Sequence, residues 1–244
     1  MKLDLGHIKK VAVIHVELDG DRTVYHYLIL KQTKDEIDFV KSGEGILDQD
    51  ELVKAVTNYP VLLHFSGKGI LNRKAVNQEN YRHSILLNAN MDGFYFSDYV
   101  ESKTVFSSVI RKDTVDGYVN IFTEKKLQVI SISSGPFHAA TLNRILKKDQ
   151  YTVGGIDLKF ENGQLSDFKK MTVENDQRSI LLGTERIANN LIPCAALGAT
   201  FFNEDEKVVF PENEAVFDFN MEEAKQKNIF TRFGMGMMLF FLVI

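Results

Sequence analysis

Apolar positions along the chain gather first between residues 11 and 30. Val11-Ala-Val-Ile-His-Val-Glu17 is β-branched and almost wholly apolar, the composition of a strand covered on both faces. Asp19-Gly20 supplies a tight turn, because glycine accepts positive φ and the aspartate side chain can hold the turn. The chain then runs back through Val24, Tyr25, Tyr27, Leu28 and Ile29, and a third strand follows at Ile37-Asp-Phe-Val-Lys41. A second hairpin of this kind is read over 151–169, with its turn at Asn162-Gly163. Two such hairpins, each opening one half of the chain, point to an internally duplicated fold.

Between them the periodicity alternates. Asp48 or Asp50 caps a helix ending before Pro60, with Leu52, Val53 and Val56 on one face. Val61-Leu-Leu-His-Phe65 reads as a buried strand. A segment of different texture covers about 67–111, with a strand at 70–76, a helix at 79–89 and a hairpin turning at Ser102-Lys103. Val115, Tyr118, Val119 and Phe122 stand at helical spacing after Asp113. A strand at 127–132 follows, then Gly135-Pro136 and a helix to about residue 147. The second half adds a helical stretch over 184–200 that Pro193 should kink and whose Ala195, Ala196, Gly198 and Ala199 allow close packing. This order, β-β-β-α-β, an inserted α/β piece, then α-β-α, is that of the ribonuclease H-like or actin-like fold. The expected organisation is a first ribonuclease H-like lobe (1–148) with an inserted subdomain (about 67–111), and a reduced second lobe (149–228).

Composition narrows the function. The chain has 244 residues, 44% of them hydrophobic and 25% charged, with a net charge of -4. An acidic chain without a dense lysine/arginine block is a poor nucleic-acid binder, since phosphate contacts supply most such affinity. The single cysteine, Cys194, rules out an internal disulfide or a cysteine-built zinc site and reads as a small buried hydrophobe. No signal-peptide run opens the chain. The end, Phe233-Gly-Met-Gly-Met-Met-Leu-Phe-Phe-Leu-Val-Ile244, has no polar side chain. With Lys225, Lys227 and Arg232 before it, residues 229–244 are expected to begin a membrane span, with Phe233, Met237, Leu239, Phe240 and Phe241 facing lipid and the N-terminus in the cytosol.

Candidate chemistry is sparse. Glu17-Leu-Asp19-Gly20-Asp21 stands where an actin-like ATPase meets phosphate or a ribonuclease H-like nuclease holds Mg²⁺, but the simplest role of Asp-Gly is to turn a hairpin. Ser66-Gly-Lys-Gly69 lacks the spacing of a P-loop. Phe65-Ser66-Gly67 lacks the first glycine of a nucleophile elbow, because His64 stands there. Ser131-Ile-Ser-Ser-Gly-Pro136 after a strand could bind an anion through backbone N–H groups. The six histidines show no metal-binding spacing, and His15 and His64 fall in strands. No metal and no cofactor are expected.

Val61-Leu-Leu-His-Phe65, Gly69-Ile-Leu-Asn-Arg-Lys74, the helix opening at Val109-Ile-Arg-Lys-Asp-Thr-Val-Asp116 and Ser133-Ser-Gly-Pro-Phe137 together resemble the actin-like assembly proteins of bacterial pili and secretion systems. These are the type IV pilus protein PilM and the cytoplasmic part of the type II secretion protein GspL. The resemblance covers most of the chain in order, through loose motifs, and the apolar tail sides with the GspL-like branch. It implies a non-catalytic scaffold on the cytoplasmic face of the inner membrane, single-span, that recruits the secretion or pilus ATPase and pairs with a second inner-membrane platform protein; it also admits a homodimer. Phe94, Tyr95, Phe96 and Tyr99, dense on one hairpin of the inserted piece, are the expected partner-binding residues. Two rivals remain open: a PilM-like ATP-binding protein using Asp19, Gly20, Ser133, Ser134 and Gly135, and a ribonuclease H-like nuclease using Glu17 and Asp19 with a distant acid.

Overall fold

A computed structural model describes residues 7–34, 36–171, 179–211 and 217–230. The apolar run at the start becomes β1 (Lys10–Asp19), paired antiparallel with β2 (Arg22–Gln32), which pairs with β3 (Ile37–Ile46). Helix α1 (Gln49–Val56) starts at Asp48, whose carboxylate accepts from the Asp50 N–H, and leads into β4 (Val61–Gly67). An inserted unit follows: β5 (Leu71–Val76), α2 (Tyr81–Ile85), β6 (Phe94–Glu101) and β7 (Thr104–Arg111). Helix α3 (Lys112–Glu124) and β8 (Val129–Ser134) then return to the first sheet.

That sheet has the order β3-β2-β1-β4-β8, with β1, β4 and β8 parallel. Three antiparallel strands extended by two parallel ones make one mixed α/β sheet. Helices α1 and α3 cover one face through Leu52, Val56, Val115, Val119 and Phe122, against Ile14, Val16 and Leu63. The other face, with Val11, Val13, Leu28, Leu30 and Leu62, belongs to a larger core.

The second half contributes to that larger core. After a 3-10 turn at Phe137–Leu142 and a short α4 (Asn143–Leu146), three strands form a small antiparallel sheet: β9 (Gln150–Val153), β10 (Ile156–Glu161) and β11 (Gln164–Lys170). A hairpin of β12 (Ser179–Leu182) and β13 (Glu185–Ala188) precedes α5 (Ile192–Asn203), which lies across β1, β2 and β4. Pro193 stands in the first turn of α5, where its missing N–H costs nothing, and so starts the helix instead of kinking it. The two-residue β14 (Val208–Val209) adds to β6, giving the inserted sheet the order β14-β6-β7-β5.

One expectation is corrected here. No helix among the described residues is long and apolar enough to cross a membrane, which overturns the single-span anchor and the placement at the inner membrane that followed from it. The run carrying Phe233, Met237, Leu239, Phe240 and Phe241 lies outside the described residues. The last described helix, 217–230, carries Asp218, Glu222, Glu223, Lys225 and Lys227.

The aromatics of the inserted hairpin lie largely inside the fold. Tyr95, Phe96 and Tyr99 are buried, and Phe94 is half-buried under the Arg111 guanidinium. Strand β6 is covered on both faces, so its alternating aromatics fill three core clusters and leave little for a partner to grip.

Candidate functional site

Parallel strands β1, β4 and β8 end on the same side of the sheet, and in such sheets ligands bind beyond the carboxyl ends of the strands. A cleft of about 310 Å³ opens there. Its wall from β1 is Glu17, Leu18 and Asp19; from β4 and the following loop it takes His64, Ser66, Gly67 and Lys68. Gly135 and Pro136 enter after β8, and Gly154 and Gly155 close it from the second half.

Two tight turns therefore border the cleft. The first joins β1 to β2 through Gly20 (φ +61°) and Asp21. Lys68 folds over it: the ammonium lies 3.4 Å from the Asp19 carboxylate, and the Lys68 N–H donates to the Leu18 carbonyl at 2.7 Å. Both charges are largely exposed, so the pair is worth at most about 1 kcal/mol. The second joins β9 to β10 through Gly154 and Gly155, both at positive φ, so that Val153 faces Ile156. Gly154 comes against Ser66: a Cβ on it would lie 3.8 Å from the Ser66 Cβ.

The Gly154-Gly155 turn differs from the one the sequence singles out. Asn162-Gly163 does turn β10 into β11, but it is not among the residues lining the cleft. The Gly-Gly dipeptide inside 151–169 was the available signal, since two adjacent positive φ angles end a strand.

Of the residues expected to meet a nucleotide, Asp19 and Gly135 line the cleft and Gly20 forms its rim turn. Ser133 and Ser134 lie behind it, both buried. The Ser134 N–H donates to Ser97 Oγ at 2.8 Å and the Gly135 N–H to the Phe65 carbonyl at 2.9 Å, so neither N–H is free for an anion. Glu17 and Asp19 share the β1 end, yet among the described residues no three His, Cys, Asp or Glu side chains converge to hold a metal ion. The described residues do not assemble the nuclease constellation.

Beneath the cleft lies a feature that no spacing rule reveals. The register pairs His26 with His15, His15 with His64, and His64 with Ser133, so one row crosses four strands on one face of the sheet. The rings of His15 and His26 and those of His15 and His64 are 5.2 Å apart, and His138 closes on His64 at 4.6 Å. All four histidines are buried. Burial holds His15 down to about 4, with the neighbouring His26 adding to the effect, and burial takes His138 to about 4 as well. His64 is held well below the ordinary range, again by burial first. The Glu17 carboxyl is lowered by its hydrogen bond from His26.

The hydrogen bonds of the row are uneven. His15 Nδ1 lies 3.0 Å from the Asn190 carbonyl, and His138 Nε2 lies 3.2 Å from that of Pro193. Because a carbonyl only accepts, both nitrogens carry a proton. His15 Nε2 is then the acceptor for the Ser66 hydroxyl, 2.6 Å away. Both nitrogens of His64, Nδ1 of His138 and Oγ of Ser133 are buried without a partner.

With this geometry in place, the chain can be set beside known proteins. No protein-family model matches it, and no curated protein matches it in sequence. Among solved structures, it is similar to the cytoplasmic domain of EpsL, an inner membrane component of the type II secretion system of Vibrio cholerae. The TM-score is 0.45 at 9% identity, over 66% of this chain and 70% of that one. It is also similar to a Bacteroides thetaiotaomicron protein of actin-like ATPase fold and unknown function, with TM-score 0.40 at 12% identity, over 64% of this chain and 68% of that one.

Proposed function

We propose that the chain is an assembly protein of actin-like fold, of the kind found in bacterial secretion or pilus machines, which positions partner proteins and does not turn over a nucleotide. The observation that carries the reading is the acidic first turn. Where an actin-like ATPase would receive phosphate, this chain offers the carboxylates of Glu17 and Asp19, and Lys68 is already paired with Asp19. Placing a polyphosphate beside two carboxylates costs Coulomb energy that one engaged ammonium does not offset. The buried Ser133 and Ser134 remove the second expected set of phosphate donors. The partners proposed are a cytoplasmic secretion or pilus ATPase and a second platform protein, and a rigid domain that holds both raises their effective concentration for each other.

One observation favours a second reading, an ATP-binding protein of the PilM kind. Glycine turns from the two halves, Gly20 and Gly154-Gly155, both border one cleft, where backbone N–H groups can face a phosphate chain. Thermal unfolding of the full chain with and without millimolar Mg·ATP separates the two. A ligand at a hundred times its dissociation constant stabilises by about 2.7 kcal/mol. For a chain of this size that raises the melting point by roughly 2–4 °C per kcal/mol. No rise is expected; a clear rise that requires Mg²⁺ overturns the assembly reading in favour of nucleotide binding.

A further inference from the structure

The cleft holds one constellation that the assembly reading does not use. Ser66 stands at the carboxyl end of β4, one residue before Gly67 (φ +94°), with its side chain on the cleft floor. His15 sits on the neighbouring strand β1, 51 residues away in sequence, and receives the Ser66 hydroxyl hydrogen bond at Nε2. The Asn190 carbonyl fixes the His15 tautomer from the opposite side of the ring. Nucleophile, base and orienting group thus form one line, the arrangement that activates a hydroxyl toward an electrophilic carbonyl. His64, two residues before Ser66 and so on the same face of β4, also lines the cleft, with both ring nitrogens buried and unpartnered.

We propose that Ser66 is an activated nucleophile that takes up the acyl group of a carboxylic ester bound in this cleft. Ser66 Oγ forms a bond to the carbonyl carbon while its proton passes to His15 Nε2. The proton on His15 Nδ1 stays with the Asn190 carbonyl. A tetrahedral oxyanion results. It collapses with cleavage of the bond to the alcohol oxygen, which leaves with the proton from His15 Nε2. The product is an ester of Ser66; water attacking by the same relay releases the carboxylic acid and restores the serine. No oxidant, metal or cofactor enters the balance. The motif reading passes over Ser66 because His64 occupies the place of the first elbow glycine, and the base comes from another strand.

The assembly reading and this one fail separately, because the test contains no nucleotide and no partner protein. The full chain is incubated at pH 8 with an alkyl fluorophosphonate, which reacts preferentially with activated hydroxyls, and the intact mass is followed over hours. The expected result is one phosphonyl group per chain, with fluoride as leaving group, mapped by peptide mass spectrometry to Ser66. This mapping on the unaltered chain needs no variant to fold. Ser66→Ala should remain unlabelled, and His15→Gln should slow labelling by about a hundredfold or more, the usual contribution of a general base.

The pH profile distinguishes an activated serine from a merely exposed one. Glu17, His26, His64, His138 and Cys194 surround His15; burial first, then His26 and His138, keep its imidazole neutral, against the Asn190 carbonyl and the Glu17 carboxylate, which favour the charged ring. Labelling should therefore fall less than twofold from pH 8 to pH 5.5, whereas a histidine of ordinary pKa near 6.5 would lose about tenfold. An unlabelled chain, label on another residue, or equal rates with and without His15 each overturns the proposal.

Discussion

At the scale of the residue, three buried histidines set the pH response of the fold. His15, His64 and His138 titrate below their ordinary range because burial penalises the charged ring, while in the unfolded chain they return to about 6.5. Below pH 6.5 the unfolded chain binds protons that the folded chain refuses, so folding stability falls as pH drops toward 4 and is fully present above 6.5. Up to three protons per chain are involved, each contributing about 1.4 kcal/mol per pH unit. The melting temperature should drop by more than about 8 °C between pH 7.5 and pH 5, and the drop should shrink in His64→Leu, which removes one refused proton. A flat profile would show that the row is not neutral and dry. Sequence showed each of these residues as a strand or loop histidine and nothing more. Their meeting depends on the register between strands, which chain spacing does not encode; His15 and His64 are 49 positions apart yet directly opposite.

At the scale of the element, the inserted sheet is held by a buried carboxylate. Asp98, on β6, accepts from the Tyr81 hydroxyl at 2.5 Å, from the Arg82 guanidinium at 3.1 Å, and from the Ser107 hydroxyl of β7. Tyr81 and Arg82 belong to α2, so this one side chain ties the helix to the sheet. Asp98→Ala removes a buried carboxylate shared by three donors, a change that typically costs about 3–5 kcal/mol. The Arg82 side chain is 29% exposed, which places the expected loss at the lower end, about 3 kcal/mol by urea unfolding. A loss below about 1 kcal/mol would mean that α2 is held by its apolar contacts alone. The strands of this unit were legible from period-two alternation and the Ser102-Lys103 turn. The roles of its aromatics were not, because a strand covered on both faces carries aromatics on both, and the pattern alone reads as surplus. The helix expected over 79–89 forms only at Tyr81–Ile85. Asn80 and Asn88 take positive φ at its two sides, which α-helical residues do not.

At the scale of the whole molecule, α5 decides whether the chain behaves as two lobes or one. Its small residues, Ala195, Ala196 and Gly198, were legible as a close-packing face, but the surface they pack on could not be read from the chain. They lie against the first sheet: a Cβ on Gly198 would come 1.9 Å from Leu30 Cδ1 and 3.5 Å from Val13 Cγ2. The same core cluster includes Tyr151, Leu158 and Phe160 from the second half and Tyr99 and Phe106 from the inserted unit. Such a core loses its parts together. Gly198→Val forces a branched side chain into the Leu30 contact, where overpacking costs about 1–3 kcal/mol, more than the few tenths of a kcal/mol by which valine exceeds glycine as a helix former. The melting point should fall by roughly 2–4 °C for each kcal/mol lost. Far-ultraviolet and near-ultraviolet circular dichroism should fall along one shared curve, because the tyrosines that report packing and the strands that report backbone share the core that α5 closes. Two separated transitions, with only one moved by the substitution, would instead mean that the halves fold as independent lobes and that α5 belongs to one of them.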